Sequence, residues 1–215
     1  MSRRLMLRNT SGGDGGLPSE YQQVEWISTS AALRNAFINT AYTPHIGDEV
    51  YLKFSPASVN QCCPCSAGTG TYQFIAITQG NGQTYIRAFS NSSVGFTLGY
   101  SANSELEFHS YLDNGTYKTL FKNISAGTQH TYTNTTIAEL DGSAINLYLF
   151  RRRNNNSIYS GKIFAFWAKD SNGNFIANYV PCYRKNDGVI GMYDTTSRSF
   201  FTSANSGTFT KGADV

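Results

Sequence analysis

The chain has 215 residues, a length that is ordinary for one all-β domain and short for two. Hydrophobic residues make up 40% of it, enough for a core, and only 14% is charged, which argues against disorder driven by charge. No run of about 18 apolar residues occurs, so we predict no membrane-spanning helix and no membrane partner. The net charge is +3, and the arginines of the first ten residues account for it. The rest of the chain is close to neutral, which does not favour nucleic acid as a partner.

Residues 1–16 have the composition of an arm and a linker, and the folded domain is predicted to span residues 17–215. The run from Ser11 to Gly16 is rich in glycine, which is typical of a flexible linker. The apolar residues before it are too few to fold alone and would gain stability only when buried on a partner. We predict that the arm anchors the domain in an assembly; a terminal segment without a role is the alternative. The candidate assembly residues are Arg3, Arg4, Leu5, Met6, Leu7 and Arg8.

Short segments rich in aromatic and β-branched residues follow the linker, with turn signals roughly every 8–14 residues. Gly80-Asn81-Gly82 predicts a hairpin between residues 72–78 and 84–89. Residues 163–168 are apolar throughout, which predicts a central strand covered on both faces and a core position for Trp167. The predicted strands, in chain order, are residues 50–54, 72–78, 84–89, 96–98, 106–108, 117–121, 145–149, 163–168, 175–180, 189–193 and 199–202.

No segment keeps apolar residues at helical spacing for three turns, so the pattern favours an all-β sandwich or barrel. In the last part of the chain, Asp194 is interpreted as the start of a turn, because aspartate side chains bind nearby backbone amides. Tyr193 and Asp194 are therefore predicted to be structural rather than catalytic. Trp26, near the start of the domain, is predicted to lie in the core.

Both ends of the domain carry motifs of a known family. Residues 17–27 read Leu-Pro-x-x-Tyr-x-x-x-x-Trp-Ile, and residues 191–209 contain Gly-x-Tyr-Asp and then Phe-Phe-x-x-x-x-x-Gly-x-Phe. Over about residues 17–212 the chain resembles the concanavalin-A-like, or laminin-G-like, jelly-roll domains of gut bacteria and their phages. Residues 31–36 depart from the family, which usually has a glycine-containing segment there. The resemblance implies a two-sheet antiparallel jelly-roll sandwich with a flexible N-terminal arm.

The resemblance also implies a setting. Short proteins with such an arm, a glycine linker and one jelly-roll domain look like phage virion components, and the start has no apolar segment of a secretory signal. We expect a non-enzymatic structural or decoration protein of the virion, made in the host cytoplasm, that contacts other virion proteins through its arm. The alternative is a glycan-binding adhesin that contacts bacterial surface polysaccharide. In both cases a homo-oligomer is expected.

A glycoside hydrolase is the third hypothesis. Enzymes similar in fold carry Glu-x-Asp-x-x-Glu, which supplies a nucleophile and an acid. Here Glu105 and Glu107 match the first two acids and alternate onto one face of a strand, whereas Ser110 stands at the third. We therefore predict that both carboxylates face solvent, that Leu106 and Phe108 turn inward, and that the chain is not an enzyme.

Sugar recognition combines aromatic rings with hydrogen-bonding side chains. The densest cluster of such residue types in the sequence follows residue 150, and a solvated loop is its alternative interpretation. The candidate glycan contacts are Arg151, Arg152, Arg153, Asn154, Asn155 and Tyr159.

The cysteine and histidine spacings in the sequence do not indicate a metal site. Cys62, Cys63 and Cys65 are clustered and Cys182 stands alone, whereas zinc sites usually combine two groups of ligands. We expect reduced structural thiols, with a disulfide or a metal as alternatives. The three histidines are dispersed and no aspartate-rich loop suits calcium, so no cofactor is predicted.

Overall fold

The computed structural model describes residues 16–29, 36–59, 62–78, 83–91, 94–97, 99–142, 146–152 and 159–215. These residues form two antiparallel sheets and contain no helix that is long and apolar enough to cross a membrane. The predicted antiparallel two-sheet jelly-roll sandwich is thereby confirmed. The arm, including Arg3, Arg4, Leu5, Met6, Leu7 and Arg8, lies outside the described residues.

The strands of the large sheet are Tyr21–Gln23 (β1), Ile27–Thr29 (β2), Glu49–Pro56 (β4), Leu106–Asp113 (β9), Thr116–Asn123 (β10), Thr128–Asn134 (β11), Gly161–Lys169 (β13), Phe175–Arg184 (β14), Ile190–Asp194 (β15), Ser199–Phe201 (β16) and Thr210–Lys211 (β17). The sheet runs in the order β11-β10-β9-β4-β13-β14-β15-β16, while β1 pairs with β14, β2 with β13, and β17 with β2.

The strands of the small sheet are Ile38–Asn39 (β3), Cys62–Ala67 (β5), Gln73–Thr78 (β6), Gln83–Ser90 (β7), Val94–Thr97 (β8) and Tyr148–Leu149 (β12). The sheet runs in the order β3-β12-β5-β6-β7-β8. The predicted hairpin corresponds to the antiparallel pair of β6 and β7, whose connecting residues lie outside the described part of the chain.

Aromatic rings from both sheets meet in the core between them. Alternate residues of β9 and β10 are buried, as expected for strands with one face toward the core. Phe108 of the large sheet contacts Phe74 of the small sheet edge to face at 5.6 Å, and Tyr117 lies 4.9 Å from Phe89. Each fully buried ring stabilises the fold by about 1.5–3 kcal/mol, so these contacts hold the two sheets together.

Strand β13 is central, as predicted, but it is not covered on both faces. It pairs with β4 on one side and with β14 and β2 on the other. Ile163 and Phe166 are fully buried, whereas Phe164 and Trp167 are only half-buried. The apolar run therefore marks a strand with aromatic rings on its outer face.

The end of the domain agrees with the structural interpretation of Asp194. This carboxylate is buried and accepts hydrogen bonds from the amides of Asn178, Thr196 and Ser197 at 2.9–3.2 Å. It thus closes the turn between β15 and β16 and fixes that turn to β14.

Candidate functional site

A row of side chains crosses the outer face of the large sheet. The strand registers place His109 of β9 beside Tyr51 of β4, and Tyr51 beside Trp167 of β13. Their chain neighbours Phe108, Leu52 and Phe166 are fully buried, so the alternation of side chains in a strand turns the row toward solvent. We call this surface the acidic–aromatic face; it consists of Glu49, Tyr51, Glu107, His109 and Trp167.

The rings of this face pack on one another. Tyr51 and Trp167 are stacked with centroids 5.1 Å apart and an interplanar angle of 11°. His109 meets Tyr51 edge to face at 6.2 Å, and Phe175 meets Trp167 in the same way at 6.0 Å. The Lys169 ammonium lies 5.0 Å from the Trp167 ring centroid. Half-buried rings held on three sides in this way form a rigid apolar surface at the solvent boundary.

Hydrogen bonds orient the polar groups beside these rings. His109 Nε2 lies 2.7 Å from Glu49 Oε1, and the Tyr51 hydroxyl donates to Glu107 Oε1 at 2.7 Å. Burial, and then the hydrogen bond to Glu107, raises the pKa of Tyr51 well above its usual value of 10.0. Tyr51 therefore remains a hydrogen-bond donor at neutral pH.

The prediction that Glu105 and Glu107 face solvent is confirmed. Both carboxylates are partly exposed, and Leu106 and Phe108 are fully buried. Ser110, at the position of the third acid, is buried.

Each of these polar side chains has a partner within the sheet. The Glu105 carboxylate lies 2.9 Å from Lys53 Nζ, and that of Glu107 lies 3.9 Å from Lys122 Nζ. The Ser110 hydroxyl pairs with that of Thr119 at 3.1 Å. The arrangement is that of a sheet surface whose charges are paired across strands.

The arginines singled out in the sequence lie at the small sheet. The Arg151 guanidinium covers the ring of Phe37 at 4.8 Å from the centroid, and the Arg151 carbonyl accepts a hydrogen bond from Ser66. Burial, and then the positive charge of Arg152, lowers the pKa of Arg87. We call Arg87, Arg151 and Arg152 the arginine cluster.

Tyr159, another predicted glycan contact, is not brought to this surface. Tyr159 is fully buried, and its hydroxyl donates a hydrogen bond to the Lys162 carbonyl at 3.0 Å. Its ring therefore belongs to the core, and the prediction that it is exposed for sugar binding is wrong. Gly161, two residues later, approaches this ring so closely that a Cβ there would lie 2.8 Å from Tyr159 Cζ. Arg153, Asn154 and Asn155 lie outside the described residues.

Neither tryptophan is a core residue, which corrects the sequence prediction. Trp26 is half-buried, with Lys162 Nζ 4.5 Å from its ring centroid, and Trp167 belongs to the acidic–aromatic face. One signal for Trp167 was available: Glu49-Val50-Tyr51 and Glu107-Phe108-His109 alternate polar or amphipathic residues with apolar ones. Strands of that type have one solvated face. Trp167 lies on the same face because of the order of the strands in the sheet, which cannot be read from the sequence.

Three of the four cysteines, Cys63, Cys65 and Cys182, are buried free thiols. Cys63 Sγ donates a hydrogen bond to the Cys65 carbonyl at 3.2 Å, and burial raises the pKa of the Cys182 thiol to about 12. Within the described ranges, no three His, Cys, Asp or Glu side chains are arranged to hold a metal ion.

No family model and no curated protein matches the sequence. Solved structures resemble the fold at low sequence identity. The enzymatically active domain of tailspike protein 2 from bacteriophage CBA120 matches with a TM-score of 0.48 and 10% identity, over 76% of this chain and 30% of that one. The LG1–3 region of the laminin α2 chain matches with a TM-score of 0.46 and 10% identity, over 94% and 36%. The CBM40 of the Ruminococcus gnavus IT-sialidase, bound to α2,3-sialyllactose, matches with 0.42 and 12%, over 68% and 85%.

Proposed function

We propose that this chain is a non-enzymatic glycan-binding domain and that it binds sugars through the acidic–aromatic face. The observation that carries the proposal is the rigid stack of Tyr51 and Trp167, flanked by Glu107 on one side and by the Glu49–His109 pair on the other. An adhesin that contacts bacterial surface polysaccharide is the corresponding biological role.

The chemistry of the face suits a neutral or amino sugar. Pyranose rings have apolar C–H patches, which pack against aromatic surface, and hydroxyl groups, which need hydrogen-bond partners. Tyr51 and Trp167 supply the first kind of contact, and carboxylate oxygens of Glu49 and Glu107 accept hydrogen bonds from hydroxyls. Because these groups are already held by neighbours, little side-chain entropy is lost when a sugar binds.

The same contacts support binding without hydrolysis. Glycosidases separate the roles of two carboxylates, one of which must be free to protonate the leaving oxygen. Here Glu107 accepts the Tyr51 hydroxyl and Glu105 is paired with Lys53, while a buried serine occupies the position of the third acid. We expect no release of reducing sugar from polysaccharides that the protein binds.

The structural role in a phage virion stays a prediction. It depends on the arm at residues 1–16, nearly all of which lies outside the described residues. A virion location is compatible with glycan binding, because a decoration protein can also contact the host surface.

An array of bacterial surface polysaccharides, followed by calorimetry on the glycans that bind, tests the proposal. We expect Trp167→Ala to weaken binding about tenfold, equivalent to roughly 1.4 kcal/mol. Trp26→Ala is the matched control, because Trp26 is also half-buried beneath a lysine but lies outside the acidic–aromatic face. The proposal is wrong if no glycan binds, or if folded Trp167→Ala binds as tightly as the wild type.

A further inference from the structure

Strand β11 forms one edge of the large sheet and has an unusual composition for an edge strand. It pairs with β10 over seven residue pairs without a register shift, and β10 is its only strand partner in the described part of the chain. Half of the backbone N–H and C=O groups of such a strand point away from its partner. At about 3.4 Å per residue, this edge is about 24 Å long.

The features that normally prevent edge-to-edge pairing are missing from β11. Natural edge strands are often very short, or carry lysine, proline, inward-pointing charges or a bulge. The opposite edge of the sheet, β16, follows this rule, since it has three residues. By contrast, β11 has seven, reads Thr-Gln-His-Thr-Tyr-Thr-Asn, and contains no proline, lysine, arginine, aspartate or glutamate. Its threonines and tyrosine favour extended backbone.

The side chains of β11 are also accessible and self-compatible. All residues from Thr128 to Thr131 are exposed, as is Thr133. When two copies of the strand lie antiparallel about a two-fold axis at Thr131, His130 faces Tyr132 of the second copy and Gln129 faces Thr133. Each of these pairs joins polar or aromatic groups of compatible size, and none brings like charges together.

We propose that the protein forms a two-fold dimer in which β11 of one copy pairs antiparallel with β11 of the next, centred on Thr131. The nearest lysines agree with this arrangement. Lys118 and Lys122 of β10 lie beside Thr133 and Gln129 in the register, so Lys122 of one copy and Lys118 of the other are separated by three strand spacings, about 14 Å. Charges at that distance are largely screened at physiological ionic strength.

The dimer has a consequence for the proposed function, and this step depends on that function. A two-fold axis that pairs edge strands antiparallel is perpendicular to the sheet, so both acidic–aromatic faces lie on the same side. His109, Leu120 and Thr131 share one row of the sheet. The two His109 positions are therefore five strand spacings, about 24 Å, apart. Two sites at that separation would bind a repetitive polysaccharide together, which raises the overall affinity without any new contact.

Sedimentation velocity of the full chain over a dilution series tests the dimer without any glycan. We expect a dimer that dissociates on dilution, because one strand pair is smaller than a standard interface of about 1,600 Å². Thr131→Lys places two lysines opposite each other and should weaken the dimer about tenfold. Thr133→Lys is the matched control: it adds the same charge to the same strand and face, but opposite Gln129, so the dimer should be retained.

A mixture of Thr131→Lys and Thr131→Glu then tests the register, because opposite charges at the axis should restore the dimer as a heterodimer. Circular dichroism verifies that each variant keeps the wild-type fold. The proposal is overturned if the wild type is monomeric at every concentration. It is also overturned if Thr131→Lys leaves the dimer intact, or if the mixture does not restore it.

Discussion

The two outer faces of the sandwich use aromatic rings in different ways. On the large sheet, Tyr51 and Trp167 stack on each other and remain half-buried at the solvent boundary beside carboxylates. On the small sheet, Phe37 is 8% exposed, with the Tyr148 ring 4.9 Å away and the Arg151 guanidinium over it. The first arrangement leaves aromatic rings partly exposed at the solvent boundary, and the second covers the ring almost completely.

This difference explains why the arginine cluster is the weaker candidate for sugar binding. Both rings have a cation over them, but Phe37 is nearly buried beneath Arg151, so no ring face is left for a sugar, whereas Trp167 stays half-exposed beside Lys169. Residue types that suit glycan binding are thus present near both sheets, and on the large sheet the half-exposed rings of Tyr51 and Trp167 lie beside the carboxylate of Glu107.

Removing one ring from each face gives the largest expected difference. Phe37→Ala should lower the free energy of unfolding by about 3–5 kcal/mol, because it removes a buried ring and leaves a cavity. Trp167→Ala should cost clearly less, because its ring is only half-buried and solvent can fill the space. Urea unfolding of both variants measures the difference. Equal losses would mean that Trp167 is a packing residue and would weaken its assignment to a ligand surface.

The hydrogen bond between Tyr51 and Glu107 should have an intermediate effect. Tyr51→Phe keeps the ring stack with Trp167 and removes the hydroxyl, so we expect a loss of about 1 kcal/mol at neutral pH. Glycan binding should fall less than in Trp167→Ala, because the apolar surface remains. If Tyr51→Phe and Trp167→Ala reduce binding equally, the polar contacts of the face are more important than its rings.

The same variant has a defined dependence on pH. The raised pKa of Tyr51 means that the folded protein keeps the phenolic proton at a pH where the unfolded chain has lost it. The stabilisation that Tyr51 provides is therefore complete below pH 10 and is lost as the pH rises above that value. Urea unfolding at neutral and alkaline pH should show that the difference between wild type and Tyr51→Phe shrinks above pH 10. A difference that is constant or grows would contradict the assignment.

Some of these features could be predicted from the sequence because they depend on local alternation. Glu105, Leu106, Glu107 and Phe108 alternate by type, and the structure places them on opposite faces as expected. The apolar run at residues 163–168 gave no such alternation. Phe164 faces outward next to the buried Ile163, and a bulge between Ile163 and Ala165 then shifts the register, so that Phe166 turns inward and Trp167 outward.

The site itself depends on contacts that are distant in sequence. Tyr51, His109 and Trp167 become neighbours because β4 lies between β9 and β13, and strand order is not visible in a local pattern. The error at Tyr159 has a similar cause. A tyrosine next to a polar loop looks exposed, but Phe54 and Phe150 close around its ring at 6.0 and 5.8 Å. Burial of that kind follows from the packing of the two sheets.

The ion pair of Lys53 and Glu105, at the margin of the acidic–aromatic face, should have the smallest effect. The two side chains are 25% and 42% exposed, and pairs of that kind contribute up to about 1 kcal/mol. Glu105→Gln should therefore change the free energy of unfolding only slightly, and less at high salt, where screening weakens the pair. Glycan binding should also persist, because Glu105 is not among the groups held beside Tyr51 and Trp167. If Glu105→Gln abolished binding while Glu107→Gln did not, the ligand surface would have to be moved along β9 toward Lys53 and Phe164, which lie 5.1 Å apart from ammonium to ring centroid.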